Sequence, residues 1–297
     1  MCELHFRTGK IWRVQQNSFA TELAESLAAV RLKSTHNKMK NEIHYDWEMT
    51  KYRGTHGLSK HSLDAFAVCP SYYKWKESQE WKPSREMELG TLVHSLALEG
   101  RCEYAIAPAC DRRTKEGKLT WENFCQENIG KIILNEDEGA RVEGACAAVE
   151  PLLQMVTAKK VIEASMFWER DGVQCKGRPD MITEIKGRPA IVDLKTTSDF
   201  SKFDHKFFGF GYDKQAAWYT YGLEQITGQE DIDFYFLVVD MQAPHLSQWV
   251  KASTELIDIA NQQLDVTLAQ YKLCLDQDVW PGPPTMRVML PRRWEEV

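Results

Sequence analysis

The stretch Gly177-Arg178-Pro179-Asp180-Met181-Ile182-Thr183-Glu184-Ile185-Lys186-Gly187-Arg188-Pro189-Ala190-Ile191-Val192-Asp193-Leu194-Lys195 decides how the chain is read. Ala190–Thr197 has the composition of a short strand, and side chains alternate faces along a strand. Asp193 and Lys195 therefore share one face, while Val192 and Leu194 point into a core. The preceding run, Val173–Ile185, is also strand-like, and Lys186-Gly187-Arg188 reads as the turn between the two. Such a hairpin predicts Asp180 beside Asp193. Two carboxylates with an amine alongside suit a hard divalent cation, which prefers oxygen ligands. The lysine would stabilise an oxyanion or help a bound water ionise. The same spacing also fits two solvated strand-end acids and a surface lysine, so the rest of the chain must decide.

Composition narrows the classes. A chain of 297 residues, 43% hydrophobic and 27% charged, fits a globular protein of one large domain or two small ones. No apolar run approaches the ~18 residues of a membrane span, so no membrane association is expected. The N-terminus, Met1-Cys2-Glu3-Leu4-His5-Phe6-Arg7, has no apolar core of a secretory signal. The eight cysteines form no C-x-x-C pair, which predicts reduced thiols and a cytoplasmic location. The net charge of −6 argues against a generic polyanion coat. It leaves room for a nuclease, whose metal site needs acids. Lys74, Lys76, Lys82 and Arg85 form one basic stretch. Lys195, Lys202, Lys206 and Lys214 form another, interleaved with Phe200, Phe203, Phe207, Phe208 and Phe210. The second could track a phosphate backbone and stack bases, or be a solvated loop with anchoring aromatics.

Taken in order, Ser18–Leu32 has helical spacing, and Lys33–Arg53 is polar and without period. Residues 1–57 read as an appended helix and linker. Leu58–Lys76 predicts a helix capped by Ser59 or Ser62, stopped at Cys69-Pro70 and followed by a second short helix. Met87–Gly100 predicts a helix that carries His94, with Gly90 allowing close packing. Trp121–Asn128 and Asn135–Val156 read as helices. Val161–Thr197, with an Asp171-Gly172 turn, reads as a three-strand meander holding both acids, and Glu163 in its first strand is an accessory carboxylate. Lys214–Thr227 is a helix with Gln215 and Tyr219 on one face. Ile232–Val239 is a central strand, Leu246–Lys251 its partner, and Thr254–Leu275 a long amphipathic helix. The expected fold class is α/β, a mixed central sheet flanked by helices.

Five segments occur in an order that resembles the RecE-type (exodeoxyribonuclease VIII-like) branch of the PD-(D/E)xK nuclease superfamily. They are the Cys-Pro-x-x-Tyr entry within Ser62–Tyr73 and the Gly-Thr-x-x-His-x-x-x-Leu-Glu helix at Gly90–Glu99. Gly-Arg-Pro-Asp at Gly177–Asp180, Asp-Leu-Lys-Thr at Asp193–Thr196 and Gln-x-x-x-Tyr at Gln215–Tyr219 follow. The resemblance covers residues 58–297, with the Trp-Pro-Gly and Leu-Pro-x-x-Trp tail also similar. It implies that His94, Asp180, Asp193 and the backbone carbonyl of Leu194 hold Mg²⁺ or Mn²⁺. Asp180, Asp193 and Lys195 would be catalytic, and Gln215, Tyr219 and Arg178 would contact the phosphate or DNA. Iron–sulfur relatives need three cysteines near the C-terminus in addition to one like Cys69. Only Cys274 stands there, so no cluster is expected.

The resemblance further implies hydrolysis from double-stranded DNA ends, 5′→3′, in prophage-type recombination. A ring-like homo-oligomer and a single-strand-annealing partner come with it. The alternatives are a RecB-like or CRISPR-associated nuclease module of a larger complex, or a non-catalytic DNA-binding subunit on a nuclease fold. Because every matched motif lies beyond residue 57, a chain cut to residues 56–297 is expected to keep its fold and activity.

Overall fold

A computed structural model of the protein describes residues 41–80, 82–101 and 104–286. In chain order, β1 (Glu42–His44) and α1 (Met49–Gly54) lead into α2 (Lys60–Val68), α3 (Pro70–Glu77) and α4 (Arg85–His94). Next come β2 (Tyr104–Ile106), α5 (Lys115–Glu127), β3 (Ile132–Leu134) and α6 (Glu136–Gln154). The strand-rich middle holds β4 (Val161–Ile162), β5 (Ser165–Arg170), β6 (Val173–Gly177), β7 (Met181–Ile185) and β8 (Arg188–Thr197). The C-terminal part holds α7 (Phe203–Phe207), α8 (Tyr212–Thr227), β9 (Asp233–Asp240), β10 (Ser247–Ala252) and α9 (Thr254–Gln277). The expected helix Ser18–Leu32 and the Leu290–Trp294 tail lie outside the described residues.

Local chemistry sets the helix ends. Ser59 Oγ accepts the Ser62 N–H and opens α2, and Pro70 sits in the first turn of α3, where a missing N–H costs nothing. Asn135 and Glu138 form a reciprocal capping box at α6. Gly228, at φ +70°, closes α8.

Five strands form the central sheet in the order β10-β9-β8-β7-β4. β8 runs parallel to β9 and antiparallel to β7, with α8 in the crossover between β8 and β9. One face buries Ile191, Phe234, Phe236 and Val238 against α8 and α9; the other buries Val192, Leu194, Leu237 and Val239 against α4 and α6. Alternation along β8 thus separates two cores, as its sequence predicts. Lys186 and Gly187, at φ +53° and +76°, make the two-residue turn between β7 and β8. Asp171 and Gly172 do the same between β5 and β6.

The expected three-strand meander is not what forms. Val161–Arg170 breaks at Glu163 into β4 and β5, and Val173–Ile185 breaks at Arg178–Asp180 into β6 and β7. β5 and β6 belong to a separate sheet of order β1-β5-β6, while β4 and β7 join the central one. Glu163, at φ +56°, lies at the first break, and Pro179, which has no N–H for a ladder, lies at the second.

The described part of the segment before residue 58 packs on the second sheet. β1 pairs with β5 in the register Glu42↔Phe167 to His44↔Ser165. Trp47 and Tyr52 pack on Phe167, with ring centroids 5.4 and 6.0 Å apart. Asn41 reaches the Gln225 carbonyl and accepts from the Glu169 amide. Residues 41–57 are therefore part of the packed unit rather than a linker.

Candidate active site

The two breaks and the β7–β8 turn bring one constellation together at the end of the central sheet. Asp180, 8% exposed, precedes β7, and its Oδ2 accepts the Leu194 N–H at 2.6 Å. Asp193, on β8, is 2% exposed. Its Oδ1 accepts from Gln215 Nε2 at 2.6 Å, and its Oδ2 lies 2.5 Å from Lys195 Nζ. The Lys195 ammonium also stands 4.8 Å from the centre of the Tyr212 ring. β7–β8 pairing ends at Met181↔Val192, so the backbone of Leu194 on that edge is outside the ladder. A residue's N–H and C=O face the same edge of a strand. The Leu194 carbonyl therefore faces the Asp180 side, the side on which the resemblance puts a ligand.

His94 arrives from the other face of the sheet. Its Nδ1 lies 3.2 Å from Asp180 Oδ2. α4 can approach β8 this closely because a Cβ on Gly90 would stand only 3.0 Å from Thr196 Oγ1. The helix winds into a π turn over Ser95–Glu99 directly after His94, a distortion that recurs at functional sites.

Glu163 stands closer to the centre than an accessory. Ligand atoms of His94, Glu163 and Asp180 all lie within 4.8 Å of one another. Glu163 Oε2 accepts Arg178 Nε at 2.6 Å. Arg178 Nη1 donates to Ser165 Oγ at 2.6 Å and to the Trp47 carbonyl at 2.8 Å. The guanidinium is thus committed to protein acceptors and only 11% exposed. Arg178, expected at phosphate, donates to Glu163 here. Gln215, expected at phosphate too, gives its amide to Asp193. Tyr219 is the next residue on that helix face, and its ring lies where a Cβ on Gly177 would come within 2.9 Å. Of the expected aromatic stretch, Phe203 and Phe207 are core residues, whereas Phe208 and Phe210 are exposed.

The charges of this buried cluster are unevenly balanced. Burial, then the neighbouring Asp180 charge, pushes Asp193 up to about 6 and Glu163 up to about 7. At Asp180 burial works in the same direction, but His94, Lys195 and the Leu194 amide outweigh it and its pKa falls. At His94 burial opposes the charged imidazole, yet Asp180 and Asp193 outweigh it and its pKa rises to about 9. The Lys195 pKa is likewise raised, because Asp193 and Asp180 outweigh its burial. Three carboxylates crowded this closely fit a cation: its charge would relieve the repulsion that lifts Asp193 and Glu163. The donor set, carboxylate and carbonyl oxygens with one imidazole, suits Mg²⁺ or Mn²⁺.

Sequence reasoning placed Asp180, Asp193, Lys195, His94 and Gln215 near one another on motif order. It missed Trp47, whose contact with Arg178 joins residues 131 positions apart and so has no local signal.

The described residues contain no helix long and apolar enough to cross a membrane. A comparison with curated proteins gives no match. Among solved structures, the crystal structure of a "Putative exonuclease" from Eubacterium rectale is similar at a TM-score of 0.58 and 18% identity. The alignment covers 80% of this chain and 89% of that one. At that identity the likeness carries the fold. An alkaline exonuclease from Laribacter hongkongensis aligns over 61% of this chain and 93% of its own, at 15% identity and a TM-score of 0.29. The family model described as a PDDEXK-like domain of unknown function (DUF3799) matches residues 59–284. With the α/β sheet, the paired acids and the lysine in place, the chain belongs to this PDDEXK-like family.

Proposed function

We propose that the protein is a divalent-metal-dependent deoxyribonuclease that hydrolyses phosphodiesters from the ends of duplex DNA. The observation that carries the reading is the buried contact set of Asp180, Asp193 and Lys195, with His94 and Gln215 bonded to the two acids. A decayed, purely binding version of the fold would be expected to have lost an acid or the lysine, and all are present. Mg²⁺ or Mn²⁺ held by His94, Asp180, Asp193 and the Leu194 carbonyl would supply Lewis-acid polarisation of the phosphate and a more acidic water.

The chain's own groups do the rest. Lys195, held between carboxylates that favour its charged form, is a hydrogen-bond donor and a fixed positive charge, not a base. It orients the attacking water or offsets charge that develops on the phosphate. Gln215 fixes the rotation of the Asp193 carboxylate, so its outward lone pairs have one direction. The exposed Phe208 and Phe210 lie before α8, and Phe210 packs 5.6 Å from Tyr212, the ring beside Lys195, so they would be the aromatics to stack on a DNA end. The 5′→3′ direction, a role in prophage-type recombination, a ring-like homo-oligomer and a single-strand-annealing partner are supported by the RecE-type motif order alone.

End-labelled linear duplex and covalently closed circles, each with Mg²⁺, Mn²⁺, Ca²⁺ or EDTA, test the reading. Linear DNA is degraded with Mg²⁺ or Mn²⁺ and not with Ca²⁺, whose looser and larger coordination positions the water poorly. Circles are spared. Full activity in EDTA would exclude metal dependence, and rapid linearisation of circles would make the enzyme an endonuclease.

A further inference from the structure

The short helix α3 turns one side inward and another outward. Tyr73 is its one buried residue. The Tyr73 ring packs against Tyr271 and Trp280, with centroids 5.5 Å away in each case, and its hydroxyl meets Tyr271 at 3.3 Å. The Ser71 N–H donates to the Pro281 carbonyl at 3.1 Å, which ties the helix start to the chain after α9. The outer side carries Tyr72, Trp75 and Lys76, which share a face by their spacing of three and four. The Tyr72 and Trp75 rings stack at 5.5 Å and 30°. Tyr72 leans on the core, whereas Trp75 is 56% exposed.

The charges beside this stack are positive. Of the basic stretch Lys74, Lys76, Lys82 and Arg85, Arg85 is bonded to Glu88 and Glu138, and Lys82 stands 3.5 Å from Glu80. Lys74 and Lys76 face rings instead. Lys74 Nζ lies 4.5 Å from the centre of the Trp280 ring, and Lys76 Nζ 5.9 Å from that of Tyr72. Glu77, the one acid in α3, accepts from the Tyr73 hydroxyl. The patch also adjoins the candidate active site. His61 on α2 has Lys60, Lys195 and Lys76 among its charged neighbours; Asp64, also there, is paired with Lys60. Positive charge therefore continues from the site lysine to α3.

We propose that this outer face of α3, the Tyr72–Trp75 stack with Lys74 and Lys76 beside it, is a binding platform for single-stranded DNA. Stacked rings offer a flat π surface to unpaired bases, and two exposed ammonium groups lie alongside for the phosphates between them. A duplex would meet the lysines alone, because its base faces are covered by neighbouring pairs. The helix is already locked by Tyr73 and Ser71, so little order is lost when a strand settles on it. The strand it takes is the one left unpaired as its complement is removed, an origin that rests on the nuclease reading.

The test is fluorescence anisotropy of labelled oligo-dT and of a labelled blunt duplex, with EDTA present so that nothing is cut. It compares full-length wild type with Trp75→Ala, Trp75→Phe and Lys76→Gln. All three substitutions fall on the exposed face, and far-ultraviolet dichroism checks that each variant is folded. Trp75→Ala should weaken oligo-dT binding about tenfold and duplex binding by less than about twofold. Trp75→Phe keeps a ring and should restore most of the affinity. Lys76→Gln should lower the slope of log K against log salt by about 0.7 for oligo-dT. A face that docks a protein would leave oligo-dT binding untouched by all three changes, and that result overturns the proposal. An equal loss for oligo-dT and duplex in Trp75→Ala also overturns it, since it would mark a general phosphate surface. The nuclease reading is judged separately by the cleavage assay. A wild type that cuts duplex but binds oligo-dT no better than Trp75→Ala refutes the platform alone. One that holds oligo-dT through Trp75 and never cuts upholds the platform and refutes the nuclease.

Discussion

The two flanks of Asp180 are built in different ways. On the β8 flank the hydrogen bonds made by β8 and α8 are short in sequence: Leu194 to Asp180 spans 14 positions and Gln215 to Asp193 spans 22, with His94 alone arriving from far up the chain. On the β4 flank Glu163 depends on Arg178, and Arg178 depends on Trp47, 131 positions away. The first flank is fixed by strand alternation and one two-residue turn. The second needs β1 to pair with β5 and aromatic rings to close over Phe167. Chemistry that sits on local geometry survives damage elsewhere, whereas chemistry that sits on a long-range contact fails with it.

The largest effect should come from the β8 flank. Asp193→Asn and Lys195→Ala should each lower single-turnover cleavage by on the order of 10²–10³ or more, as loss of one preorganised charge does. Both should still bind duplex DNA in a mobility assay, because phosphate contacts are spread over many basic groups. Near-normal cleavage by either variant would place the chemistry elsewhere and end the comparison.

Cutting the chain to residues 56–297 probes the other flank. It removes β1, α1 and the Trp47 carbonyl, and the lost acceptor of a buried guanidinium alone costs about 1–3 kcal/mol. Stripping Trp47 and Tyr52 from Phe167 adds to that. Denaturant melts should show the loss, and cleavage should fall with it. A truncated protein as stable and active as the full chain would make residues 41–55 ornamental and equate the two flanks.

The smallest effect is a control. Asn135→Ala removes the α6 capping box, which touches neither acid flank, and should cost about 1 kcal/mol of stability. Cleavage at moderate temperature should not change. A large loss of cleavage here would show that general destabilisation, not the identity of the flank, governs activity.

The same contrast explains what the sequence disclosed. The β7–β8 turn, the two-faced β8 and the helices at Lys60, Pro70, Glu136, Tyr212 and Thr254 follow from alternation, caps and proline, which act within a few residues. His94 was readable only through motif order, since a lone histidine on an apolar helix has no local mark of a ligand. The breaks at Glu163 and at Arg178–Asp180 were not readable, because each half of the broken run still has strand composition. What separates them is pairing in two different sheets. The contacts of Arg178 were hidden for the same reason: only the folded chain puts Glu163 and Trp47 within its reach.

β1 pairing with β5 has a consequence for the newly made chain. The ribosome releases Glu42 long before Phe167, its partner in the ladder. At about 5–20 residues per second, the early strand waits on the order of ten seconds for its neighbour, and Asp193 waits further for Gln215. Until α8 has emerged, Asp193 lacks the Gln215 amide that fixes its carboxylate. On the nuclease reading proposed above, a copy that ends before α8 lacks one group of the site, so full activity would wait for that helix.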